Sequence, residues 1–233
     1  MGRRGISISE RDDMATSVAA ASAREGAGTI PPARWYRDRN RQMVALGIFA
    51  AAVALVVWFV VASNRRKEEF AARSLSQARS TAEAGNLPLA SSELQKIIDT
   101  YKGTDAANEA AITLNQVRLV NGQGELAAVG LRDFLAKSPP EKYRAPANGL
   151  LGASLENAGK WADAGDAFTK ASDEADVEYL KARYLIDAGR AYTEAGKKDA
   201  AIAAYRTIIQ KYPKSSSLTE AQVRLAELTG GKM

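Results

Sequence analysis

Cysteine and histidine are both missing from the 233 residues. Their absence excludes disulfides, a cysteine-linked lipid, thiolate and imidazole metal ligands, and the Cys-His and Ser-His-Asp arrangements of covalent catalysis. Carboxylate, lysine, tyrosine or Ser-Lys chemistry remains open, but acids and bases are spread along the chain and nowhere concentrated. The glycine-rich pieces are NGQG at 121–124 and GGK at 230–232. The first reads as an interhelical turn and the second as a frayed end, so neither reads as a phosphate-binding loop. The composition points to a protein that is no enzyme and holds neither metal nor cofactor.

Charge of one sign is also scarce where it would matter for nucleic acid. Residues 1–42 carry eight of the 32 basic groups and five of the 27 acidic ones. Residues 64–233 carry the remaining 24 and 22, with no basic stripe of the kind nucleic acid requires. The excess in the tail accounts for most of the net charge of +5. Rich in Ala, Ser and Gly, that tail cannot bury enough apolar surface to offset its chain entropy, and it reads as disordered.

One long apolar run stands out, MVALGIFAAAVALVVWFVVA, Met43 to Ala62, twenty residues without a charge. At about 1.5 Å per residue, a helix of that length crosses a hydrocarbon core of about 30 Å. Trp35, Tyr36, Trp58 and Phe59 flank or close the run, and Arg39, Arg41, Arg65, Arg66 and Lys67 bracket it as interfacial anchors. The span is placed at 43–63. A cleavable signal is the alternative, with Val61 to Ser63 imitating a cleavage site, but the leader and the apolar run are both longer than that reading favours. Basic residues tie on the two sides of the span. Long soluble domains cross largely regardless of charge, which favours a cytoplasmic N-terminus and an extracytoplasmic C-terminal domain.

Gly85, Gly122, Gly159 and Gly196 recur at intervals of 37 residues. Five positions after them come Ala90, Ala127, Ala164 and Ala201, then the bulky Leu94, Leu131, Phe168 and Tyr205, then Ile97, Phe134, Ala171 and Ile208. Four columns agreeing at one offset define an internal repeat. Helical patterns flank each glycine, and Ala201, Tyr205 and Ile208 form an i, i+4, i+7 stripe. Each glycine therefore reads as the sharp turn of a helical hairpin, where positive φ is cheapest for glycine. Trp161 is expected to pack over such a joint. The fold class is all-α: one transmembrane helix, then a solenoid of about four hairpins over residues 64–233 that share a continuous apolar interior. Ser217 and Glu220 predict a capping box opening a last, solubilising helix at 217–228.

Leu185 to Pro213 resembles a tetratricopeptide repeat, with Gly189, Tyr192, Ala201, Tyr205 and Pro213 at the signature spacing and Leu185 and Ala188 in place of Trp and Leu. Leu151, Gly152, Leu155, Ala164 and Phe168 match one unit earlier. Ala78 and Asn115 stand where the first two units would carry the packing glycine, and Lys102 and Asp176 replace a closing proline that Pro139 keeps. The period exceeds the family's usual length of about 34 residues, which suggests longer turns between units. The resemblance covers about residues 71–215 and implies protein partners. Family positions map to Arg79, Gln116, Ala153 and Arg190 in one row along the concave first-helix face, with Glu156, Arg183 and Ile186 nearby. These are candidate peptide contacts; ordinary solvated side chains are the alternative. The row lacks the paired Asn and Lys that clamp a C-terminal carboxylate in that family.

A short tail, one span and a tetratricopeptide domain together resemble the ancillary translocon subunit family of the bacterial inner membrane. The resemblance implies a membrane-anchored interaction module that assists export or folding, with the translocon or a periplasmic chaperone as partner. KYPKSSSLTEAQVRLAEL at 211–228 is also similar to periplasmic envelope proteins, so a scaffold for cell-wall, division or outer-membrane assembly machinery is the alternative. The missing cysteine speaks against a lipoprotein form.

Overall fold

The computed structural model describes residues 39–231. Most of the tail therefore lies outside the described residues. The exception is 39–42, which is helical where disorder was expected, because α1 begins at Arg39. Among the described residues there are nine helices and no strand. They are α1 (Arg39–Glu83), α2 (Leu87–Thr100), α3 (Asp105–Val120), α4 (Gly124–Ala136) and α5 (Glu141–Asn157), then α6 (Trp161–Glu174), α7 (Glu178–Glu194), α8 (Lys198–Lys211) and α9 (Leu218–Thr229).

Two compact units divide between Phe59 and Val60. In the first, α1 leaves its large apolar side chains from Met43 to Phe59 between 47 and 72% exposed. In water such a surface is strongly unfavourable. The helix is long and apolar enough to cross a membrane.

In the second unit the chain folds into hairpins. The C-terminal part of α1 pairs with α2, α3 with α4, α5 with α6 and α7 with α8, and α9 packs on α8. The four hairpin turns share one geometry. Gly85, Gly122, Gly159 and Gly196 have φ of 83, 73, 71 and 71°. After each glycine the next N–H donates to the carbonyl five residues back: Asn86 to Thr81, Gln123 to Arg118, Lys160 to Leu155 and Lys197 to Tyr192, at 2.8 to 3.1 Å. This is the Schellman closure, and it satisfies carbonyls that the helix end would leave unpaired. Trp161 opens α6 and is 37% exposed.

The repeat columns form the interior. Ala90, Ala127, Ala164 and Ala201 are all 0% exposed and lie inside the packed hairpins. Leu94, Leu131, Tyr205 and Ile208 are fully buried, each contributing roughly 1.5–3 kcal/mol of transfer free energy. Two close approaches need glycine. A Cβ at Gly152 would lie 2.6 Å from the Phe168 ring, and one at Gly189 would lie 2.5 Å from the Tyr205 ring.

Three expectations are corrected. The turns between most hairpins are not long: three or four residues join α2 to α3, α4 to α5 and α6 to α7. The extra residues sit in the first helices, α3, α5 and α7, of 16, 17 and 17 residues, where they add buried surface instead of loop entropy. The capping box at α9 is not formed. Ser217 is helical, with φ −78 and ψ −8, its side chain makes no cap bond, and Ser215 Oγ accepts from the Ser217 N–H at 3.1 Å instead. Finally, the fully buried side chains form two clusters instead of one, although Ala111 and Ile112 of α3 pack against the second. One cluster joins α1, α2 and α3, including Leu75, Leu94 and Leu114, and a larger one runs from α4 to α9.

The seam has a local cause. Where the third and fourth hairpins present Gly152 with Leu155 and Gly189 with Tyr192, α3 presents Asn115 and Arg118. Asn115 is 3% exposed and donates to the Ala111 carbonyl at 2.8 Å, while Arg118 donates to its Oδ1 at 3.0 Å. Polar atoms occupy the place where apolar contacts would fuse the clusters. Polar ties bridge hairpins elsewhere. Glu68 of α1 accepts from the N–H groups of Asp105 and Ala106 at 2.9 and 2.8 Å, placing a carboxylate on the N-terminus of α3. One repeat on, Lys142 pairs with Asp105 at 2.7 Å and holds its carboxyl below the usual range.

Candidate functional site

The first helices α1, α3, α5 and α7 carry the sequence-derived row, because residues 37 apart take the same place in successive hairpins. Arg79 Nη2 on α1 lies 2.9 Å from Glu109 Oε2 on α3 and 3.4 Å from Thr113 Oγ1. It borders two grooves between these helices. One, of 370 Å³, is lined by Glu68, Leu75, Arg79, Glu83 and Glu109. The other, of 380 Å³, is lined by Arg79, Leu87, Gln116, Val117 and Val120. Gln116 is exposed at its rim.

A second cluster spans α5 and α7. Arg190 lies 3.3 Å from Glu156 and 3.2 Å from Asp187, and Arg183 lies 3.4 Å from the same aspartate. Four charged groups thus alternate in sign across two hairpins. Burial pushes the Glu156 carboxyl up, partly offset by Arg190. Burial likewise raises Asp187 against the pull of Arg183 and Arg190. Desolvation opposes the charge on Arg190, but Glu156 and Asp187 outweigh it and its pKa is raised.

Arg79, Gln116, Arg183 and Arg190 are exposed and Glu156 is half-buried. Ile186 is corrected: at 3% exposed it belongs to the core. Residues 185–189 are all buried, because α7 is covered by both α6 and α8. Asp187 was missed, although its spacing of four from Arg183 and three from Arg190 is the helical ion-pair spacing. The charges on this face are largely compensated by one another, so the face offers directed hydrogen bonds and shaped grooves more than a net field. Among the described residues no group of three or more acidic side chains gathers as a metal site would.

Two solved structures share the fold. The nearly identical TPR-like repeats of a kinesin light chain candidate from Podosopora anserina superpose with a TM-score of 0.53 at 14% identity, covering 68% of this chain and 85% of that one. A point variant of the same repeats gives 0.52 at 15% identity, over 68% and 84%. No curated protein matches the chain in sequence. The profile of the tetratricopeptide repeat-like domain matches residues 34–230. Hairpins closed by positive-φ glycines, alanine columns at zero exposure and a profile spanning most of the chain lead to one conclusion: this protein belongs to the tetratricopeptide repeat-like domain family.

Proposed function

We propose that the protein is a single-pass, membrane-anchored protein-interaction module, with its N-terminus in the cytoplasm and its repeat domain on the extracytoplasmic side of a bacterial inner membrane. There it assists export or folding of polypeptides, with the translocon or a periplasmic chaperone as partner. The observation that carries this reading is α1, whose apolar surface from Met43 to Phe59 is exposed and which is long and apolar enough to cross a membrane. Burying that surface in lipid removes the cost of exposing it to water. Arg79, Gln116, Glu156, Arg183 and Arg190 are the proposed partner contacts, supported by the grooves beside Arg79 and the compensated cluster on α5 and α7.

The absence of native cysteine makes topology directly measurable. A Ser216→Cys variant, on an exposed residue before α9, is expected to react with a membrane-impermeant maleimide in cells with a permeabilised outer membrane. A Ser9→Cys variant in the tail is expected to stay unlabelled until the inner membrane is opened. Labelling in the reverse order sinks the extracytoplasmic placement. Co-purification of the translocon or a periplasmic chaperone from gently solubilised membranes is the expected partner result. Recovery of neither, with septal localisation, would transfer the domain to the envelope-scaffold reading.

A further inference from the structure

A groove of 730 Å³ lies on the other side of the second hairpin, between α2 and α4 with α3 as its floor. It coincides with the seam between the two core clusters. Ile98, Arg118, Leu126, Val129, Gly130 and Phe134 are among its walls. Leu126 and Val129 are 49 and 50% exposed. The repeat does not demand apolar residues there, since the equivalent positions one hairpin on are Asp163 and Asp166.

Of the five charged side chains that line this groove, Arg118 alone is half-buried; Asp99, Lys102, Asp133 and Lys137 are exposed. The Arg118 guanidinium hydrogen-bonds Asn115 Oδ1, leaving most of its five donors unused by that contact, and it takes part in none of the ion pairs among the described residues. Burial lowers its pKa with no carboxylate to offset the cost. Lys102 and Lys137 form no ion pair either, but both are solvent-exposed and have Asp99 and Asp133 three and four residues away in sequence. Arg118 has no acid at such spacing. The room for it depends on Gly130, where a Cβ would meet Arg118 Nη1 at 2.8 Å and would clash with Asn115 Oδ1. A partly desolvated guanidinium without a counter-ion, beside exposed aliphatic side chains in an open groove, is complementary to a carboxylate carried on an apolar segment.

We propose that the groove between α2 and α4 is a second docking site, taking an acidic amphipathic helical segment of a partner protein. A glutamate or aspartate of that segment pairs with Arg118, and its aliphatic side chains cover Leu126 and Val129. From Leu126 to Lys137 the α4 wall runs roughly 16 Å, which suits about three helical turns. The site is separate from the first-helix row and does not depend on the membrane reading. Peptide binding reports nothing on topology, and cysteine labelling reports nothing on the groove.

The full chain reconstituted in nanodiscs containing phosphatidylglycerol, which repel free acidic peptide, provides the test. The probe is a fluorescent amphipathic Leu/Ala/Glu helix peptide, followed by anisotropy against empty discs. It is expected to bind, with Arg118→Gln weakening it ~10- to 100-fold, as loss of a charge-assisted pair does. The same peptide with every Glu changed to Gln is expected to bind wild type no better than the Glu peptide binds Arg118→Gln. Val129→Glu sits at an exposed position that the fold does not use and is expected to weaken binding at least about tenfold. It decides the matter should Arg118→Gln fail to fold. Val223→Glu, equally exposed on α9, is expected to change nothing. No binding of the Glu peptide at millimolar concentration overturns the proposal. So does an affinity that Arg118→Gln and Val129→Glu leave within about twofold, or one lost on Arg79→Ala with Arg190→Ala while both groove variants keep it.

Discussion

The hairpins on either side of the seam are built on the same columns and reach different interiors. In the third and fourth hairpins, Gly152 and Gly189 admit the rings of Phe168 and Tyr205, and the buried side chains from α4 to α9 form one cluster. In the first, Ala78 and Leu94 hold the equivalent positions, and buried side chains of α1, α2 and α3 form a smaller cluster. The second hairpin is shared between them: Leu114 and Val117 of α3 lie in the smaller cluster, Ala111 and Ile112 of α3 pack against the larger, and Asn115 and Arg118 place polar atoms where α3 meets α4. One column thus sets how the two helices of each hairpin meet. A glycine opens space for a ring, an alanine packs flat, and an asparagine satisfied within its own helix leaves a groove.

If the two clusters are separate cooperative units, the largest effect comes from emptying one of them. Tyr205→Ala is expected to cost about 3–5 kcal/mol in urea unfolding. Hydrogen exchange is expected to rise through α4 to α9 while amides of α2 and α3 keep their protection. A uniform rise would erase the distinction between the clusters.

The glycine column sharpens the contrast at intermediate size. Gly189→Ala forces a methyl against the Tyr205 ring and is expected to cost about 1–3 kcal/mol. Ala78→Gly, the opposite change in the first hairpin, is expected to cost about 1–2 kcal/mol, from helix propensity and the loss of a buried methyl, with no ring displaced. Equal costs would mean that ring insertion does not distinguish the two regions. Glu68→Gln removes the carboxylate from the N-terminus of α3 and is expected to cost about 0.5–2 kcal/mol, read as faster exchange at Asp105 and Ala106.

The smallest effect is a pH dependence. The Asp187 carboxyl is raised by burial, so the folded state binds its proton more tightly than the unfolded chain does. Its contribution to stability is therefore fully present below the unfolded value and is lost as pH rises through the raised folded value. Asp105 runs the other way, since Lys142 lowers its pKa: its contribution is present above the unfolded value and is lost as pH falls through the folded one. Asp187→Asn is expected to flatten the melting-temperature profile on the acid side of neutrality, above the ordinary aspartate pKa, whereas Asp105→Asn is expected to lower the melting temperature above the ordinary aspartate pKa and to converge with wild type below it. Identical profiles for wild type and Asp187→Asn would remove the buried aspartate from this account.

Much of the repeat was legible because it rests on local rules. Glycine at a Schellman turn is required by positive φ, and small residues at a fixed offset are required by the close approach of two helices. Neither depends on knowing the neighbours. The contact row was only partly legible. Ile186 belongs to a helix wrapped by two others, so its burial follows from which elements surround α7, something its sequence neighbourhood does not encode. Ser217 and Glu220 have capping-box spacing, but the turn through Tyr212 to Ser215 brings Ser217 in already helical, where its hydroxyl cannot cap.

The amino-acid order by itself determined the apolar helix, the period of 37 residues and the places where the chain must turn, because periodicity, apolar length and backbone freedom are properties of a segment and its immediate neighbours. Only the tertiary structure decided that the interior divides at the second hairpin, that Asp187 joins Arg183, Arg190 and Glu156, and that Arg118 faces an open groove without a counter-ion. Those outcomes depend on which surfaces meet across tens of residues, where one polar side chain in a packed column changes what its neighbours can bury.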